Sequence, residues 1–128
     1  MTEHMSTADY LAMVNQPKKS KYKNVRTEID GINFDSKAEA DYYSYLLVLQ
    51  KSGEVAYFLM QVPFLCGGGV KYRLDFLVVY SDGHIDHIDV KGSVTSAFKN
   101  KKKQVESRYP IKIRCLFKQG SRFVEKMI

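Results

Sequence analysis

The chain has 128 residues, enough for one hydrophobic core and too few for two. Hydrophobic residues make up 45% of it, so most of the chain is expected to fold. Twenty basic residues against fourteen acidic ones give a net charge of +6, which favours a polyanionic partner.

No apolar run approaches a membrane span and no signal-peptide core opens the chain, so no membrane role is expected. Cys66 and Cys115 fit no metal spacing and are too few for a disulfide framework. They read as reduced thiols of a cytoplasmic protein.

In chain order, "STADYLAMV" predicts a short helix capped by Ser6 or Thr7, followed by a basic arm to Asn24. Residues 1–24 thus stand apart from a single domain over 25–128. "VRTEIDGINF" sets Asp-Gly between two alternating apolar runs, a hairpin signal. "DSKAEADYYSYLLVLQKSG" predicts a helix opening at Ser36 and ending at Gly53. Ala38, Tyr42, Tyr45, Leu46 and Leu49 recur on its inner side.

Three strands follow: "EVAYFLMQVPFL" up to "CGGG", "VKYRLDFLVVY" up to "SDG", and "HIDHIDVKG", the last two as an antiparallel hairpin. A helix from Thr95 to about Arg108 turns Phe98, the Lys101 stem, Val105 and Tyr109 inward. Pro110 closes it, and "IKIRCLF" is the final core strand. The expected fold is α/β, an α+β mixed sheet flanked by helices.

On this scaffold "HIDHIDVKG" raises a question, because charges are costly to bury unpaired. Alternate strand residues share a face, so His87, Asp89 and Lys91 point one way and Ile88 and Val90 the other. One strand earlier, Asp75 interrupts the apolar run "YRLDFLVV". Pairing through "SDGH" leaves Asp75 and Asp89 each about seven residues from the turn centre, hence near one another. Two carboxylates that close repel, and a divalent cation with oxygen ligands resolves the conflict.

Acid-x-Lys triplets also arise by chance. Asp35-Ser36-Lys37 is one, at a helix start where capping explains it. The copy at 89–91 differs in lying on a core strand after a second buried acid. Plainer readings remain open beside the metal site. Asp75 could pair with Arg73 or Lys71 on an edge strand, and Asp89 with Lys91 could be a solvent-facing ion pair. Gln61 either lines the site or bonds to backbone. His84 and His87 read as turn and surface residues, and the tyrosines of "DYYSYL" as helix packing.

"RLDFLVV…HIDVKG" resembles the catalytic core of the PD-(D/E)xK nuclease superfamily, with Asp75 as the first acid and Asp89-Val90-Lys91 as the second motif. More narrowly, "KSKYKN", "DGINFDSKAEADYY", "QVPF", "DFLVVYSDG" and "DVKG" are together similar to a small phage-type endonuclease-like family, over residues from about 9 to 117. The proline that often precedes the first acid is Leu74 here, at a position that varies in the superfamily.

The resemblance implies a restriction-endonuclease-like core and hydrolysis of a DNA phosphodiester with Mg²⁺ or Mn²⁺. It implies that Asp75, Asp89 and the Val90 backbone carbonyl hold the ion, and that Lys91 orients water or stabilises the phosphoryl oxygens. Glu39, from the preceding helix, completes the metal shell, although Ser36-x-x-Glu39 is also a capping box.

Lys99, Lys101, Lys102 and Lys103 are candidate DNA-phosphate contacts, or else a solvated helix face. Lys19, Lys21 and Lys23 of the arm could order on DNA. No recognition helix or zinc module is visible, so structure or end recognition is expected. Holliday-junction resolvases of this superfamily act on branched DNA as dimers, which makes a homodimer the expected form. A nuclease-derived module that binds DNA without cutting is the alternative, and a protein- or small-molecule-binding domain on the same fold is a third.

Overall fold

The structure, a computed structural model, describes residues 26–128. The segment expected to form the N-terminal helix, and the residues Lys19, Lys21 and Lys23, lie outside the described residues.

Asp30 and Gly31 form the first turn, both at positive φ (55° and 78°), which a two-residue hairpin of the primed type requires. They join β1 (Thr27–Ile29) to β2 (Ile32–Phe34) as a separate two-stranded sheet. The helix α1 (Lys37–Lys51) starts as expected: the Ser36 hydroxyl accepts the Glu39 N–H at 3.1 Å.

Its buried face differs from the sequence expectation. Tyr45 is 48% exposed, while Ala40 and Tyr43 are buried with Tyr42 and Leu46. The reason is that α1 packs against two surfaces, the main sheet and the β1–β2 hairpin. The Tyr43 ring lies 5.2 Å from that of Phe34, and its hydroxyl donates to Asp30 Oδ2 at 2.9 Å. This second contact rotates the apolar stripe towards the hairpin.

The main sheet holds β3 (Val55–Gly67), β4 (Val70–Tyr80), β5 (Ile85–Lys91), β6 (Ile113–Gln119) and β7 (Arg122–Lys126), in that spatial order. All neighbours are antiparallel except β5 and β6, which run parallel and are connected through α2 (Ser96–Arg108). Thr95 caps α2 through its hydroxyl, and Phe98 and Val105 face inward as the spacing implies.

Two features correct the sequence reading. The "IKIRCLF" strand begins at Ile113 and is not the last, because Gly120 at φ 62° turns the chain into β7. The pattern was weak there, since only Phe123 and Val124 of "RFVEK" are apolar and both stay half-buried.

Two apolar clusters cover the sheet. One joins α1 and the hairpin to Val55, Phe76, Val78, Ile88, Val90 and Leu116. The other joins α2 to Tyr72, Leu74, Ile113 and the thiols Cys66 and Cys115, both free and buried. Among the described residues no helix is long and apolar enough to cross a membrane.

The clusters also reveal a kink. Phe58, Met60, Phe76 and Val78 pack with α1, whereas Val62, Phe64, Tyr72 and Leu74 pack with α2. All eight are at even positions, so regular alternation would put each strand's residues on one face. Both strands therefore swap faces between Met60 and Val62 and between Leu74 and Phe76. Gln61, at φ 54°, is the hinge of β3, and Asp75 stands at the matching point of β4.

Candidate functional site

The kink sets Asp75 at the point where β4 changes face. Its Oδ2 accepts the Val90 N–H at 2.9 Å, tying β4 to β5 where their ladder ends. The last residues paired there are Phe76 and Ile88, so Asp75 and Asp89 face each other one step further along. The sequence expectation of neighbouring acids is met.

Asp89 is 1% exposed, and its Oδ2 has no hydrogen-bond partner among the described residues. Its Oδ1 lies 3.9 Å from the Lys91 ammonium, which in turn sits 3.9 Å over the Phe98 ring. Burial lifts the Asp89 pKa to about 6, against the pull of Lys91 and of the Asp75 backbone N–H, which donates to the carboxylate.

The N-terminal turn of α1 brings Glu39 to the same place. Gln61 Nε2 donates to Glu39 Oε2 at 3.1 Å and reaches Asp75 Oδ1 at 3.4 Å, so Gln61 bridges the two acids. The Glu39 and Asp75 carboxyls are neighbours joined through Gln61, and two acids so placed favour holding one proton between them. Burial first, then the charges of Asp75, Asp35 and Asp89, push Glu39 up to about 8, so the proton resides there at neutral pH. Asp75 is raised as well, by burial, with the Val90 N–H and Lys91 acting in opposition.

Glu39, Gln61 and Asp75 line a cleft of about 380 Å³ with Phe34, Asp35 and Met60. The capping and carboxylate readings of Glu39 are compatible, because the cap uses its backbone N–H and leaves the carboxyl to Gln61 and Asp75.

Asp86 supplies an internal contrast on the same strand. It is also buried, yet it meets the Tyr80 hydroxyl at 3.0 Å, His84 Nε2 at 3.0 Å and Arg114 Nη1 at 2.8 Å. Its charge is fully matched, and that network locks β5 to β6. The two acids of "HIDHID" thus have different fates, one fully compensated and one only in part. His87 stacks edge-on to Phe64 at 6.2 Å, and burial lowers its pKa.

Would a divalent cation suit these groups? Among the described residues no set of three or more His, Cys, Asp or Glu side chains stands as a ready-made ligand cluster. The donors are nevertheless hard carboxylate oxygens, in excess over nearby cations, with one oxygen orphaned inside the protein. That chemistry suits Mg²⁺ or Mn²⁺ rather than a soft metal. Val90 contributes its N–H to Asp75, whereas the sequence reading assigned its carbonyl to the ion.

A family model described as "Protein of unknown function (DUF1064)" matches residues 19–120. The chain belongs to this family. No curated protein and no solved structure matches it. The DUF1064 segment takes in Glu39, Gln61, Asp75, Asp89 and Lys91, and stops before β7.

The lysines of this DUF1064 chain divide by environment. Lys99 and Lys103 are exposed on α2, and Lys101 is partly buried. Lys102 is bound to Glu106 at 3.1 Å with its side chain 14% exposed, which leaves it less available to a phosphate than the sequence suggests. The sequence reading missed Lys118 and Arg122, which the β6–β7 hairpin sets beside the start of α1. The only available signal was the short basic pattern around Gly120.

Proposed function

We propose that this chain is a metal-dependent DNA endonuclease of the PD-(D/E)xK type that hydrolyses phosphodiester bonds. One observation carries the reading: the buried Asp89, with an orphaned oxygen, faces Asp75 across two strands, with Lys91 at 3.9 Å. A purely structural pair would be compensated as Asp86 is. The resemblance of "LDFLVV…HIDVKG" to the superfamily supports the same assignment.

In this reading Asp75, Asp89 and Glu39, with the Val90 carbonyl, hold a Mg²⁺ or Mn²⁺ ion. Such an ion, when bound, neutralises phosphate charge and makes water easier to deprotonate. Lys91 donates to a phosphoryl oxygen, its stem fixed against Phe98. Gln61 orients the Glu39 and Asp75 carboxyls relative to each other. The exposed Lys99 and Lys103 hold backbone phosphates nearby. Branched or junction DNA is the proposed substrate, cut in the cytoplasm by a homodimer so that two strands are cleaved symmetrically.

The test is incubation with supercoiled plasmid, a four-way junction and linear duplex, in Mg²⁺, Mn²⁺ or EDTA. Nicking that disappears in EDTA and in Lys91→Ala is the expected result. Binding to DNA without cleavage in either metal overturns the assignment and leaves the non-cleaving module.

A further inference from the structure

We propose that the groove between α1 and the β6–β7 hairpin is a binding site for single-stranded DNA. Bases stack on Tyr45, and Lys118 and Arg122 hold the phosphates. The inference rests on the nuclease reading for its class of ligand and names where a strand runs beyond the carboxylates.

The groove has a volume of about 780 Å³, larger than the carboxylate cleft, and shares no lining residue with it. Lys37, Arg114, Lys118 and Arg122 line it with one acid, Asp41. Arg114 is held by Asp86 and Glu125, while Lys37 and Lys118 share Asp41 and Arg122 is exposed, so a positive surplus remains at the β6–β7 end. Its position follows from the topology. β5 and β6 are parallel with Lys91 opposite Phe117, so Lys118 and the turn into β7 lie at the end of the sheet that carries Lys91. Asp41 fixes the mouth: its carboxylate meets Lys118 at 3.0 Å and Lys37 at 3.4 Å, joining α1 to β6. Groove and cleft therefore flank the N-terminal end of one helix.

Tyr45 argues for the kind of ligand. It lies on the wall of this groove, 48% exposed, and its ring contact is with Tyr42 at 5.6 Å. The core does not use it. An exposed aromatic ring in the same groove as cationic side chains is the arrangement that holds unstacked bases and tracks their backbone. Duplex DNA keeps its base faces covered and gains only the charge contacts. A second copy of the chain would bring the same positive groove to the contact and be repelled.

The experiment uses the full chain in EDTA, so that cleavage plays no part. A fluorescein-labelled oligothymidylate of about 12 nucleotides is titrated with protein and followed by anisotropy. Tyr45→Ala is expected to weaken binding roughly five- to a hundredfold, and Tyr45→Phe to restore it. Arg122→Glu, at the exposed start of β7, is expected to weaken binding and flatten its salt dependence by about one phosphate contact. Unlabelled duplex of equal length is expected to compete less well than unlabelled single strand.

Wild-type affinity in both Tyr45→Ala and Arg122→Glu overturns the proposal, and so does equal competition by duplex. Oligonucleotide binding that depends on Tyr45 and Arg122, with no cleavage in any metal, sinks the nuclease reading and keeps this one. Cleavage with wild-type binding in both variants does the reverse.

Discussion

Replacing Asp89 by asparagine should make the metal-free protein more stable while removing its proposed metal ligand. Burial moves this carboxyl from its usual 3.8 to about 6. The folded state thus holds the proton more tightly than the unfolded chain does. Stability is therefore fullest at low pH, falls as pH rises between those two values, and stays reduced above them. At about 1.4 kcal/mol per tenfold change in acidity, the ionised group costs the fold about 3 kcal/mol at most. Asparagine has nearly the same shape and no charge, but its amide also lacks a full set of partners, so about 2 kcal/mol is the expected gain. For a domain of this size that corresponds to a melting temperature higher by on the order of 10 °C.

The assay is thermal and urea denaturation of both proteins in EDTA, from about pH 4 to about pH 8. Asp89→Asn should be the less stable by at most about 1 kcal/mol at the acid end and the more stable towards neutrality, so the two curves cross. Added Mg²⁺ should stabilise the wild type and leave Asp89→Asn nearly unchanged. If Asp89→Asn is the less stable protein near pH 8, Lys91 compensates the buried charge after all, and the argument for a missing cation collapses.

Glu39 is protonated at neutral pH, with a pKa near 8, so ion binding near pH 7 should release about one proton per ion. Calorimetry in buffers of different ionisation heat reads this, and Glu39→Gln should abolish the buffer dependence; an unchanged dependence rejects the role. Ser36→Ala removes the acceptor of the Glu39 N–H and should cost about 1 kcal/mol in urea denaturation. Leu46 is 0% exposed in the α1 cluster, so Leu46→Ala should lose about 2–5 kcal/mol. A loss below about 1 kcal/mol would mean that the helix docks more loosely than described.

The elements most legible in the sequence were those written in local chemistry. Asp30-Gly31 marks its hairpin, Ser36 its helix start, and the spacing around "SDGH" places Asp75 against Asp89. Those features need only neighbours in sequence. What the pattern concealed depends on contacts between distant segments. Tyr45 and Tyr43 exchange roles because the β1–β2 hairpin claims one side of α1. The face swap at Gln61 and Asp75 cannot be read from alternation, since apolar residues keep even positions on both sides of it. Gln61 was suspected of lining the site, but its bridge between Glu39 and Asp75 required the fold. β7 went unseen because an edge strand with two half-buried apolar residues has little periodicity to show.

The same deformation bears on how the protein avoids sticking to itself. β3 forms one border of the main sheet, thirteen residues long, with Tyr57, Leu59 and Leu65 about half exposed. A straight border of that length would invite strand addition from another chain. Here the ladder slips between Val55 and Tyr57 and again between Leu65 and Gly67, Gln61 leaves the extended conformation, and Pro63 has no N–H to offer. No uninterrupted stretch is long enough to template a foreign strand across the whole border. Straightening the hinge to fill the cleft with an ordinary strand would thus also leave an adhesive margin on the molecule.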